Sequence, residues 1–97
     1  MKNDFIIKLK GPYTFEGKEY KELDLSGIQE LTADDLCNAQ KMLSDMGNTV
    51  TMPEIDYTYN LILAAKATKL PLEFFKALPG KYAAKIKMTV TGYFLAD

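Results

Sequence analysis

Apolar and polar positions alternate at the front of the chain, with Phe5, Ile7 and Leu9 set against Ile6, Lys8 and Lys10. A period of two predicts a strand with one buried face. Gly11-Pro12 interrupts it, because proline supplies no N–H to a ladder. Extended structure resumes at Tyr13 to Phe15. Glu16-Gly17 follows, and glycine takes the positive φ of a tight turn without steric cost. Glu19 to Leu25 predicts the returning strand, with Leu23 and Leu25 on one face. Residues 8–25 thus read as strand, break, strand, turn, strand.

From Thr32 onward the period lengthens. Ser26 to Leu31 is a connector, and Thr32 is a good N-cap with Asp35 three residues on, close to a capping box. Leu36, Ala39, Leu43 and Met46 share one helical face, and Gly47-Asn48 is a C-terminal stop, so a helix is expected over about 33–46. Asn48 to Met52 reads as a loop, and Pro53 suits the first turn of the next helix. Glu54 and Asp56 lie where the helix dipole favours anions, Lys66 and Lys69 where it favours cations. The stretch Tyr57 to Ala65 is apolar on most sides, which predicts a central helix packed all round. Leu70-Pro71 ends it, since the residue before proline avoids the α region. Leu72 to Leu78 predicts a short helical turn, and Pro79-Gly80 a break. A last helix follows, with Ala83, Ile86, Val90 and Phe94 at helical spacing. The β-branched run Thr89-Val90-Thr91 leaves a C-terminal strand open as the alternative over 86–95.

The expected fold is α+β: a small N-terminal antiparallel β-hairpin or sheet followed by three to four α-helices. A length of 97 residues predicts a single domain, with a hairpin region at 1–25 and a helical region at 32–97. The net charge is −1, so no global field draws the chain to nucleic acid or an anionic membrane. All 12 cations are lysines, and the forked donor that reads guanine or clamps phosphate is absent. The longest apolar run, near Leu61 to Ala65, is far short of a membrane span. The first residues lack the form of a signal peptide, and Cys37 has no disulfide partner. A soluble protein of the cytoplasm is the expectation.

The inventory for catalysis is thin: no His, no Arg, no Trp and one Cys. Asp34-Asp35 reads as helix-start electrostatics beside Thr32, and Glu54 with Asp56 likewise. Cys37 lies near a helix start, which lowers a thiol pKa, but no imidazole is present to serve as its base. It reads as core or semi-buried filler. No loop resembles an oxygen cage for a metal, and Glu16-Gly17-Lys18 lacks the spacing of a phosphate loop. No cofactor, metal or catalytic group is therefore expected. The aromatic residues Tyr57, Tyr59, Phe74, Phe75, Tyr82, Tyr93 and Phe94 cannot all be central in so small a domain. Those reaching the surface would mark a partner site. The candidates are Phe74, Phe75, Tyr93, Phe94 and Tyr57, with Phe75, Tyr93 and Phe94 as the preferred exposed patch. Met42, Met46 and Met88 read by default as adaptable core filler.

The chain resembles the small tail assembly chaperones of long-tailed bacteriophages and prophages. The matching pieces are Ile7-Lys8-Leu9 before a proline, Tyr13-Thr14-Phe15-Glu16-Gly17-Lys18-Glu19-Tyr20, and Glu22-Leu23-Asp24-Leu25. Leu61 to Lys66 then leads through Leu70-Pro71 to Ala77-Leu78-Pro79, and the last helix ends in Tyr93-Phe94-Leu95. The order and spacing of these pieces carry the likeness over nearly the whole chain. Members often have an acidic residue followed by an aromatic one at the start of the last helix, where this chain has Lys81-Tyr82.

The resemblance implies a non-enzymatic function. Such a chaperone binds the long, helical tape measure protein in the host cytoplasm while the tail is built, and is absent from the finished particle. It also implies a longer frameshifted form of the same protein as a companion. Tyr93-Phe94-Leu95 permits a slippery codon run, subject to codon choice. Apolar excess favours a homo-oligomer, and the sequence leaves its stoichiometry open. Two other readings stand beside this one: a structural tail or head–tail connector component, and a small regulatory protein-binding module.

Overall fold

The computed structural model describes residues 5–47 and 56–95. A two-stranded antiparallel sheet, β1 (Ile6–Phe15) and β2 (Lys18–Asp24), opens the chain. A 3₁₀ turn (Ser26–Glu30) leads to four helices: α1 (Ala33–Asp45), α2 (Tyr57–Thr68), α3 (Leu72–Lys76) and α4 (Gly80–Leu95). The α+β class and element order are those the sequence predicts. The predicted loop over Asn48 to Met52, and the placement of Pro53 and Glu54, lie outside the described residues.

The two strand segments expected before the turn form one strand with a wide bulge. Lys8 pairs with Glu22 and Tyr13 with Tyr20, so five residues of β1 advance against two of β2. A bulge of this kind bends and twists a hairpin. Its effect is visible in which side chains face inward. Ile7 pairs with Leu23 and both are buried, whereas beyond the bulge Tyr13 and Tyr20 turn toward the interior. Leu23 and Tyr20 lie on opposite faces of β2, so the hairpin presents one face near its base and the other near its tip. Lys10 N–H, inside the bulge, donates to the Tyr82 hydroxyl of α4 at 2.8 Å. The tip is the expected two-residue turn, with φ of +50° at Glu16 and +82° at Gly17. Positive φ at both positions matches the right-handed twist of the strands.

The helix α2 is the centre of the fold. Tyr59 to Ala64 are buried without a break, and α2 meets α1, α3, α4 and the 3₁₀ turn. Asp56 caps its start, its carboxylate accepting from Tyr59 N–H at 3.0 Å. Its carbonyl accepts from the Asn60 amide at 2.8 Å, which gives that buried polar side chain a partner. The helix ends at Lys69, held left-handed at φ +62° with its N–H on the Ala65 carbonyl. The 3₁₀ turn, where the sequence suggests only a connector, comes very close to this end of α2. A Cβ added at Gly27 would stand 2.4 Å from the Ala67 carbonyl oxygen, so only glycine fits.

At the start of α1 the capping box is complete: Thr32 Oγ1 accepts from Asp35 N–H and Asp35 accepts from Thr32 N–H at 2.9 Å. Ala39 and Leu43 are buried, but the predicted stripe stops there, because Met46 is the C-cap and is exposed. Residues 86–95 are helical. Tyr82, Ile86 and Val90 recur every four residues and are buried, which outweighs the weak propensity of the β-branched run.

Candidate partner-binding surface

Phe74 is the hub of the fold's aromatic packing. Its ring takes edge-to-face contacts from Tyr13 at 5.1 Å, Phe15 at 5.2 Å, Tyr20 at 4.7 Å and Phe75 at 4.9 Å. The Tyr13 hydroxyl donates to the Phe74 carbonyl at 3.0 Å, and burial pushes that phenol's pKa upward. Phe74 and Phe75 are both 0% exposed. This corrects the expectation that Phe75 belongs to a surface patch. The hairpin tip beyond the β1 bulge lies over Phe74, and Phe75 packs edge-on to Phe74 within the same core.

The other three candidates sit toward the outside. Tyr57 is half exposed at the start of α2, with Lys87 Nζ 4.8 Å from its ring centre. Tyr93 is exposed and lies edge-on to both Phe5 and Phe94. Phe94 is half-buried and helps to line a groove of about 230 Å³ between α1, α2 and α4, with Leu36, Leu63 and Leu95. The structure thus brings Tyr93 and Phe94 together, and separates them from Phe74 and Phe75.

Other side chains join this apolar surface. Met42, Met46 and Leu95 are exposed, and Met88 is 73% exposed. The default reading of Met42, Met46 and Met88 as core filler is therefore corrected. Cys37 is exposed too, against expectation, because the buried stripe of α1 runs through Ala39 and Leu43 and leaves Cys37 off it. A helical wheel signals this for Cys37. The same wheel signals it for Met88, which lies opposite the Ile86 and Val90 stripe, whereas Met42 and Met46 lie nearer the stripe of α1 and methionine suits core and surface alike.

A second groove, about 400 Å³, runs between β1 and α4 and is lined by Ile6, Ile7, Lys8, Lys85, Met88 and Thr89. The two elements lie antiparallel along it, with Phe5 beside Tyr93 at one end and Lys10 beside Tyr82 at the other. Among the described residues, no three of Cys, Asp and Glu converge in a way that could hold a metal ion. No helix among them is long and apolar enough to cross a membrane.

What the arrangement offers is contact area: a small α+β unit with a closed aromatic core and methionine, tyrosine and leucine side chains outside it. Residues 6–95 match the family of phage tail assembly chaperone proteins described as "E, or 41 or 14". The chain belongs to that family, and membership implies a non-catalytic role with a protein partner in tail assembly. No curated protein and no solved structure matches the chain.

Proposed function

We propose that the chain holds apolar helix faces of the tape measure protein while the phage tail is assembled, acting as one domain in the host cytoplasm and leaving before the particle is finished. Family membership supports a partner in tail assembly. The observation that carries the choice of partner chemistry is the set of exposed large apolar side chains, Met42, Met46, Tyr57, Met88, Tyr93 and Leu95. Five of these sit on or at the ends of α1 and α4, and methionine adapts its shape to irregular partners. A reversible holder needs such pliant apolar surface with polar groups around it. Tyr57, Tyr93 and Phe94 form the aromatic part of this surface.

Co-expression with the tape measure protein tests the reading. The tape measure protein is expected to become soluble and to co-purify with this chain. Unchanged solubility refutes the proposal. Mass spectrometry of purified particles checks the transient part: the chain is expected to be missing from them, and its presence at a fixed copy number would favour a structural component.

A further inference from the structure

β1 has a second edge, turned away from β2. The Phe5 carbonyl accepts from Leu25 N–H at 2.7 Å, and the register continues through Ile6–Asp24, Ile7–Leu23 and Lys8–Glu22. Opposed residues of an antiparallel pair alternate between exchanging backbone bonds and turning them outward. Phe5 and Ile7 therefore bond to β2, and the N–H and C=O groups of Ile6 and Lys8 point away from it. Lys10 N–H donates to the Tyr82 hydroxyl, which puts this edge toward α4. Among the described residues, no group outside β2 is hydrogen-bonded to the Ile6 or Lys8 backbone. The groove of about 400 Å³ is lined by Ile6, Ile7 and Lys8 in succession, from both faces of the strand, so it lies along the open edge. Lys8 and Lys85 line it beside the exposed Met88, and β1 and α4 carry no carboxylate. Glu22 and Asp24 stand on the far side of β1, on β2, and neither pairs with a lysine among the described residues.

We propose that this groove takes an extended acidic segment of a protein partner, which adds to β1 as a third, antiparallel strand. In such additions main-chain bonds supply the affinity and alternate side chains the selection. The Phe5–Tyr93 and Lys10–Tyr82 contacts close the groove at its ends, so the added strand is short. Two partner residues, two apart, exchange all four bonds with Ile6 and Lys8. Their side chains share the face of Lys8, which favours carboxylates. The residue between them shares the face of buried Ile7, which favours an apolar side chain. The preferred ligand is therefore an acidic–apolar–acidic run. A helix would leave the strand edge unbonded, so this contact differs from the helix faces proposed above. It stands whether or not the partner is the tape measure protein.

An end-blocked peptide alternating glutamate and valine tests the proposal, read by amide hydrogen exchange in nuclear magnetic resonance. Its controls are the same peptide with lysine for glutamate and a helix-constrained peptide of the same composition. In the free chain Ile7 N–H is expected to exchange slowly and those of Ile6 and Lys8 fast. The glutamate peptide is expected to bind with a Kd of about 0.1–1 mM and to slow exchange at both Ile6 and Lys8. The lysine peptide is expected to bind about tenfold more weakly. Lys8→Pro removes the outward N–H and spares the ladder to β2, as proline does at a strand edge. It is expected to weaken binding about tenfold, whereas Lys8→Val, which keeps the N–H and loses the charge, weakens it about threefold. Matching urea midpoints check that both variants fold, and the exchange test on the wild type needs no variant. No binding, equal binding of the two charge types, or binding that leaves Ile6 and Lys8 fast overturns the inference. So does tighter binding of the helix-constrained peptide. Slowed exchange that grows with protein concentration alone would assign the edge to a second copy and overturns it too. Tape measure solubility is a separate readout, so either proposal can fail without the other.

Discussion

Replacing Phe74 by leucine tests whether the hairpin is held to the helices through one ring. Phe74 and Phe75 are adjacent and equally buried, so each loses a similar apolar area on replacement by leucine. They differ in ring contacts: Phe74 makes edge-to-face contacts with four other rings, whereas Phe75 makes one, with Phe74. Each such pair adds about 0.5–1.5 kcal/mol beyond area burial. Contacts sharing one ring are not additive, so Phe74→Leu is expected to cost about 1–3 kcal/mol more than Phe75→Leu. That is a large share of the roughly 5–15 kcal/mol that holds a domain folded. Urea denaturation followed by far-ultraviolet circular dichroism measures both variants. In a chain this size the difference also lowers the melting temperature by about 4 °C or more. Amide exchange should quicken in β1 and β2 of Phe74→Leu. Coincident denaturation curves for the two variants would refute the assignment of a special role to the Phe74 ring.

Further outcomes follow from local geometry. Gly27→Ala forces a methyl against the Ala67 carbonyl and is expected to destabilise by about 2 kcal/mol or more, read as a lowered urea midpoint. Lys69→Gly removes the strain of a left-handed non-glycine residue at the end of α2 and is expected to stabilise by about 1 kcal/mol by the same measurement. Hydrogen bonds from Ser26 hold the Asp24 carboxyl below its usual pKa, and those from Thr32 do the same for Asp35. A depressed folded pKa contributes stability above the unfolded value, near pH 4, and loses it as pH falls through the folded value. The midpoint of Asp35→Ala should therefore lie below wild type at pH 6, and the gap should narrow as pH drops toward 2.

Much of the fold is legible because it rests on local chemistry. The Glu16-Gly17 turn, the Thr32–Asp35 cap, the Leu70-Pro71 stop and the all-round apolar α2 each follow from residues close together in the chain. What stays hidden depends on contacts across the chain. Nothing near Lys8 shows that β1 absorbs extra residues without ending, because the bulge is stabilised by Tyr82 and Phe74, far along the sequence. The 3₁₀ turn is hidden for the same reason, since its glycine is needed only against Ala67. The candidate surface is half legible. Aromatic content predicts that some rings lie outside, but which ones depends on distant contacts: the hairpin tip lands on Phe74 and helps to close it, while Tyr57 and Tyr93 stay exposed. Exposure of Met42 and Met46 has no signature in a residue type that suits either environment, whereas Met88 lies opposite the Ile86 and Val90 stripe of α4.

The clasp between the hairpin and α3 also bears on how the protein comes off the ribosome. The hairpin strands find their packing partners, Phe74 and Tyr82, only when α3 and the start of α4 have been made. A hairpin alone is marginally stable in water. Translation must therefore pass α3 and reach α4 before the hairpin locks, and a nascent chain stalled ahead of α3 would show a frayed, protease-sensitive hairpin.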